Sequence, residues 1–221
     1  MNPEQLKLHH QNELSFFGLV SANVSHEIKN YLAVINELGG LLEDISLMAG
    51  QKSRELDPER TKDLAASITA QVSRADHVIK AFNYFSHSVD KKYCHIDLYQ
   101  LTMRMITLTA RLAGMKSTEI RMDEQSTDNL SLYTRPFALE QLFLFCLEQI
   151  MRSGPDPKTA TVLTRGTNEK AELVFVSSTE LPEQIPRDKQ LDFICRQLSA
   201  EIRLSAGRTT ITVSLPGLDQ P

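Results

Sequence analysis

The residues of this chain best suited to chemistry lie together in Ser25-His26-Glu27-Ile28-Lys29-Asn30. On a helix, His26 sits midway between the apolar Val24 and Ile28, so its imidazole points away from the apolar seam and into solvent. An exposed imidazole on a rigid helix is sterically open to an incoming phosphoryl group. Glu27 is its immediate neighbour, placed as a hydrogen-bonding partner or general base that keeps the ring nucleophilic. Asn30 stands at i+4 from His26, one turn along the same face, where its amide is placed to hold an attacking water or a partner's carboxylate. Lys29 brings a positive charge to the place where phosphoryl charge develops.

Such residues need a rigid support, and the flanking sequence predicts one. From residue 4 to residue 49 apolar side chains recur at Phe17, Val20, Val24, Ile28, Tyr31, Ile35, Leu38, Leu42 and Ile45. Steps of three and four of this kind are the stripe of a long helix. Gly39-Gly40 interrupts it, which suggests local bending or close packing there. Gly50 and the polar run 51–56 end the helix, and Asp57-Pro58 supplies an N-cap and first-turn proline for a second, over 58–88. The stripe of that helix reads Leu64, Ile68, Val72, Ala75, Ile79 and Phe82. Two long helices joined by a short loop make an antiparallel hairpin that covers only one face of each stripe; dimerisation into a four-helix bundle covers the rest. Phe16, Phe17, Phe82, Tyr84 and Phe85 fall at or beside seam positions and read as bundle core.

After Asp90-Lys91-Lys92 the texture changes. Helices are expected at 97–113, 136–152 and 187–201, and strands at 117–122 and 129–133. Alternation in 159–165 and 170–177 predicts a hairpin turning at Gly166-Thr167-Asn168, and a last hairpin turns near Gly207. The fold class is thus α+β and multidomain: a helical hairpin over 1–90, then an α/β sandwich over 91–221 with helices on one face of a largely antiparallel sheet.

Composition narrows the function. With 41% hydrophobic and 24% charged residues the 221-residue chain is outside the regime of disorder. A net charge of -4 gives no electrostatic reason to bind nucleic acid or an anionic membrane. No apolar run is long enough to span a bilayer and the first fifteen residues are too polar for a signal peptide, so a cytoplasmic protein is expected. Cys94, Cys146 and Cys195 are widely spaced and odd in number, which points to free thiols rather than disulfides or zinc. His9, His10, His77, His87 and His95 have no ligand partner at metal-binding spacing and read as surface residues, and Glu43-Asp44 as a solvated face.

Ser25-His26-Glu27-Ile28-Lys29-Asn30, on a long amphipathic helix followed by a second of similar length, closely resembles the H-box of sensor histidine kinases, in their dimerisation and histidine-phosphotransfer domain. The resemblance implies that His26 is the phospho-acceptor, Glu27 its acid/base neighbour and Asn30 the residue associated with dephosphorylating a partner. That family often has proline where Tyr31 stands, so its usual helix bend is expected to be absent or displaced. The segment from Leu139 to Met151 is similar to the N-box helix of the kinase ATP-binding domain, but Phe145 and Gln149 occupy the positions of its two asparagines. Gln149 moves the amide oxygen by one methylene, a poor match for octahedral magnesium. In the stretch from Val174 to Pro182, matching the family's Asp-x-Gly-x-Gly turn, Ser177 stands for the aspartate and no glycine is present. Without glycine the backbone cannot closely approach a nucleotide, and the glycine-rich lid is missing as well.

The resemblance therefore implies a degenerate histidine-kinase-type ATPase sandwich beside an intact H-box. The expected function is a dimeric histidine phosphotransferase of a two-component phosphorelay, passing a phosphoryl group between His26 and aspartates of response-regulator receiver domains. It needs no cofactor or metal of its own; Mg2+ is expected on the partner receiver. Two rival readings are a divergent ATP-dependent histidine kinase and a non-catalytic dimeric scaffold or pseudokinase that binds a receiver.

Overall fold

The computed structural model describes residues 3–51, 57–166 and 170–216. Helix α1 (Pro3–Gln51) and helix α2 (Pro58–Ser86) pack on each other as the hairpin. Asp57 caps α2, its carboxylate accepting from the backbone N–H of Glu59 and Arg60, with Pro58 in the first turn as its fixed φ favours. The described residues of α1 follow the expected stripe: Val20 and Val24 are buried, and Phe17, Ile28, Tyr31, Ile35, Leu38, Leu42 and Ile45 are half-buried. The helix continues without interruption through Gly39 and Gly40. A Cβ at either glycine would meet nothing within 4 Å, so close packing does not account for them.

The stripe of α2 needs correction in its second half. Leu64 and Ala75 are buried as expected, but the seam continues through Val78, Ala81 and Phe85, while Val72 and Ile79 are 51% and 41% exposed. Steps of three and four both satisfy a helical period. Which of two adjacent apolar residues is buried is decided by the helices that cover it, here α1 and the first helix of the second half.

Strand β1 (Cys94–Asp97) follows, then α3 (Leu98–Gly114), β2 (Thr118–Met122), β3 (Ser131–Thr134), α4 (Pro136–Arg152), β4 (Lys158–Gly166), β5 (Lys170–Ser177), α5 (Lys189–Leu198), β6 (Glu201–Leu204) and β7 (Thr210–Pro216). The main sheet has the order β2-β4-β5-β7-β6; β2 lies parallel to β4 and the other pairs are antiparallel. On β4, Ala160, Val162 and Thr164 are buried while Thr159, Thr161 and Leu163 are partly exposed, the alternation of a sheet covered on one face. Helices α3 and α4 supply that cover, and α5 packs on α4.

Three expectations change here. Strand β1 went unforeseen, and the strand expected at 129–133 is β3, which leaves the main sheet to pair antiparallel with β1. The helix expected over 187–201 is shorter: Asp188 caps it by accepting from the Leu191 N–H, and Ser199, in the left-handed region at φ 51°, ends it. Of the turn expected at Gly166-Thr167-Asn168, Thr167 and Asn168 lie outside the described residues. No helix among the described residues is long and apolar enough to cross a membrane.

The hairpin and the sandwich share one core. Phe16, Val20 and Val24 of α1 and Val78, Ala81 and Phe85 of α2 are continuous with Leu101, Met105 and Leu108 of α3 and Leu139, Leu142 and Phe143 of α4.

Candidate functional site

Helix α1 puts His26, Lys29 and Asn30 on its exposed surface, within one turn of one another. Glu27, turned about 100° around the axis from His26, is half-buried. Its Oε1 accepts a 2.8 Å hydrogen bond from the Tyr31 hydroxyl one turn on, and its Oε2 is enclosed without a hydrogen-bond partner. Burial, and next the hydrogen bond to Glu27, push the Tyr31 phenol up to about 12. Tyr31 therefore stays a donor at any ordinary pH. With tyrosine in place of proline, α1 is helical through this turn.

Asn23, one turn before His26, anchors the histidine's segment of α1. It is buried, its Nδ2 donates to the Leu108 carbonyl at 2.6 Å, and its Oδ1 accepts from Arg111 Nη1 at 3.2 Å. Sequence reasoning passed over this residue, although a polar side chain between Val20 and Val24 was the available signal. Replacing Asn23 by Leu removes its two hydrogen bonds to α3, one of them to the Arg111 guanidinium, and is expected to cost about 1–3 kcal/mol. A denaturation midpoint unchanged from wild type would contradict that.

Gln149 and Ser177, singled out by the sequence resemblance, make hydrogen bonds within their own segments. Gln149 is buried on α4, and its Nε2 donates to the Phe145 carbonyl of its own helix at 3.3 Å. Ser177 is buried at the end of β5, where its Oγ accepts from the Thr179 N–H at 3.1 Å. Thr179 in turn packs on Gly154. A Cβ at Gly154 would fall 2.5 Å from that of Thr179, and φ there is +57°, so glycine alone fits.

Two sequence readings fail at the junction of the halves. His9 is buried, not superficial: it lies 3.0 Å from Glu13, 3.3 Å from Gln190 of α5, and edge-on to Phe193 at 4.1 Å. Tyr84 is exposed rather than core, with the Arg104 guanidinium over its ring at 4.7 Å. The readings of Phe16 and Phe85 as core and of Glu43 and Asp44 as solvated agree with the structure. Among the described residues no group of His, Cys, Asp and Glu is arranged to hold a metal ion, and Cys94, Cys146 and Cys195 are free thiols.

Just beyond α2, Ser88 Oγ lies 2.7 Å from the Phe85 carbonyl and 2.6 Å from Glu140 Oε2. One hydroxyl proton cannot serve two acceptors. A proton on Glu140 resolves the conflict, the carboxyl donating to Ser88 Oγ while Ser88 donates to Phe85. Burial accordingly pushes the Glu140 carboxyl up to about 8, against the lowering influence of Ser88 and the Arg104 charge.

Fold and site together define a class of protein: a helical hairpin with an outward histidine, joined through a common core to an α/β sandwich. No protein-family model matches the chain, and no curated protein matches its sequence. Among solved structures it is similar to the catalytic domain of histidine kinase ThkA, at 10% identity and a TM-score of 0.48 over 59% of this chain and 100% of that one. It is also similar to the Acinetobacter baumannii histidine kinase AdeS, at 13% identity and a TM-score of 0.46 over 88% of this chain and 98% of the other. A third is histidine kinase ThkA in complex with response regulator protein TrrA, at 16% identity and a TM-score of 0.45, covering 97% of this chain and 65% of that one.

Proposed function

We propose that the protein is a histidine phosphotransferase of a two-component phosphorelay, in which His26 exchanges a phosphoryl group with aspartates of response-regulator receiver domains. In the forward step a ring nitrogen of His26 attacks the phosphorus of an aspartyl phosphate in line. The new N–P bond forms as the acyl O–P bond breaks, and the receiver carboxylate leaves with the electron pair. Glu27 is the neighbouring acceptor for the proton on the ring's other nitrogen, Lys29 offsets charge on the phosphoryl oxygens, and Asn30 positions the receiver carboxylate or a water. Mg2+ belongs to the receiver in this scheme, and no nucleotide is used.

The observation that carries this reading is an exposed His26 on a hairpin whose own core is shared with the sandwich. A phosphoryl donor must come within bonding distance of the imidazole. The sandwich packs on α1 and α2 through α3, an arrangement that favours a donor from outside. The apolar surface left open on the hairpin, at Leu32, Val34, Leu41, Leu47 and Met48 of α1 and Val72 and Ile79 of α2, supports a homodimer with a four-helix bundle.

The test is to offer the protein labelled ATP and, separately, a receiver carrying labelled aspartyl phosphate. Label from the receiver should appear on the wild type and vanish in His26→Ala. Label acquired from ATP alone would establish the kinase instead, and a wild type labelled by neither would leave a scaffold.

A further inference from the structure

Glu27 and Tyr31 occupy adjacent turns of one helix face, and the tyrosine ring packs against the shared core, so its hydroxyl is held in place rather than free to sweep. At 2.8 Å it engages one carboxylate oxygen of Glu27 and leaves the other enclosed and without a hydrogen-bond partner. Arg74, on α2, is the charged group that acts on this pair from the facing helix. A glutamate on a helix surface ordinarily samples several rotamers. This one is tied down next to the candidate phospho-acceptor.

We propose that Tyr31 is a positioning residue for phosphoryl transfer at His26, its hydroxyl fixing the Glu27 carboxylate in one rotamer beside the candidate phospho-acceptor. The proposal rests on the phosphotransferase reading and extends it by one residue. It also gives the tyrosine at this place in the H-box a task that proline lacks the atoms to perform: a side-chain donor one turn beyond the glutamate. The transferring atoms never touch Tyr31. Its effect passes wholly through Glu27, and that makes a specific pattern of variants.

The experiment measures transfer from a labelled receiver phosphate to the 221-residue chain at saturating receiver, in wild type, Tyr31→Phe, Glu27→Gln and the double variant, with receiver affinity and thermal midpoint measured on each. Tyr31→Phe should slow the saturated rate on the order of tenfold while receiver affinity and the melting midpoint hold, because positioning acts on the reacting geometry rather than on docking. In the Glu27→Gln background the same substitution should change nothing further, since the group it positions is gone. Tyr31→Gln, whose amide again offers an N–H to Glu27, should restore part of the rate. A wild type that accepts label while Tyr31→Phe transfers at the same rate, or slows equally in both backgrounds, overturns the positioning role and leaves the phosphotransferase standing. A wild type that accepts no label removes that function and this role together.

Discussion

Raising the pH from 5 to 9 is expected to destabilise the fold through a single carboxyl group, that of Glu140. In the unfolded chain this group titrates near its ordinary value of 4.5, whereas in the folded protein burial carries it to about 8. Between those values the native state holds a proton that the unfolded state has released. Unfolding free energy therefore falls as pH rises, by about 1.4 kcal/mol per pH unit at most, and the contribution is fully present below 4.5 and lost above about 8. Glutamine at this position presents a permanent N–H to Ser88 Oγ as the protonated acid does, so Glu140→Gln should flatten the profile. Urea midpoints at intervals across that range, compared between wild type and Glu140→Gln, read the effect directly. Parallel profiles would show that Glu140 is ionised when folded. On ionisation Ser88 must donate to the carboxylate instead of to the Phe85 carbonyl, so the junction of the two halves is where alkaline loosening should begin.

The largest single-residue loss is expected at Phe85. It is 1% exposed, and its ring lies 5.4 Å from Phe17, 5.5 Å from Phe16 and 6.1 Å from Phe137, joining α1, α2 and α4 in one contact. Phe85→Ala removes the transfer free energy of a buried ring and leaves a cavity enclosed by three helices, at about 3–5 kcal/mol. That is a large part of the total stability of an ordinary domain, about 5–15 kcal/mol. Phe82, one turn earlier and only half-buried, should lose less on the same substitution. Denaturant unfolding of both variants at one protein concentration provides the comparison, and a Phe85→Ala loss below that of Phe82→Ala would contradict the assignment of Phe85 as the hub.

What could be read beforehand, and what could not, divides by the distance over which each feature is determined. The stripe of α1, the cap at Asp57 and the outward direction of His26 depend on residues within a turn or two, and the sequence carries them. Strand β1 is four residues long, too short for alternation to register, and exists because β3, some 37 residues later, pairs with it. His9 is buried by Gln190 and Phe193, at the other end of the chain. The choice of Val78 over Ile79 on α2 was likewise made by neighbours, not by period. Two signals were local and went unread. Glu140 has Phe137, Phe143 and Leu144 at the positions that share its helix face, and Glu27 and Tyr31 stand at the spacing that lets helical side chains meet. From the sequence His26 is the candidate acceptor; the structure adds the hydrogen bond that holds its neighbour Glu27.

The core shared by hairpin and sandwich has a consequence for local opening. Before His26, α1 is locked by Phe16, Val20, Asn23 and Val24, whose exposure requires breaking the common core. After it, the apolar residues from Ile28 to Ile45 are covered only in part. Amide hydrogen exchange in a lone protomer should therefore follow a gradient along a single helix, slow up to the histidine and faster beyond it. The imidazole sits on the boundary, braced from one side and left to its surroundings on the other.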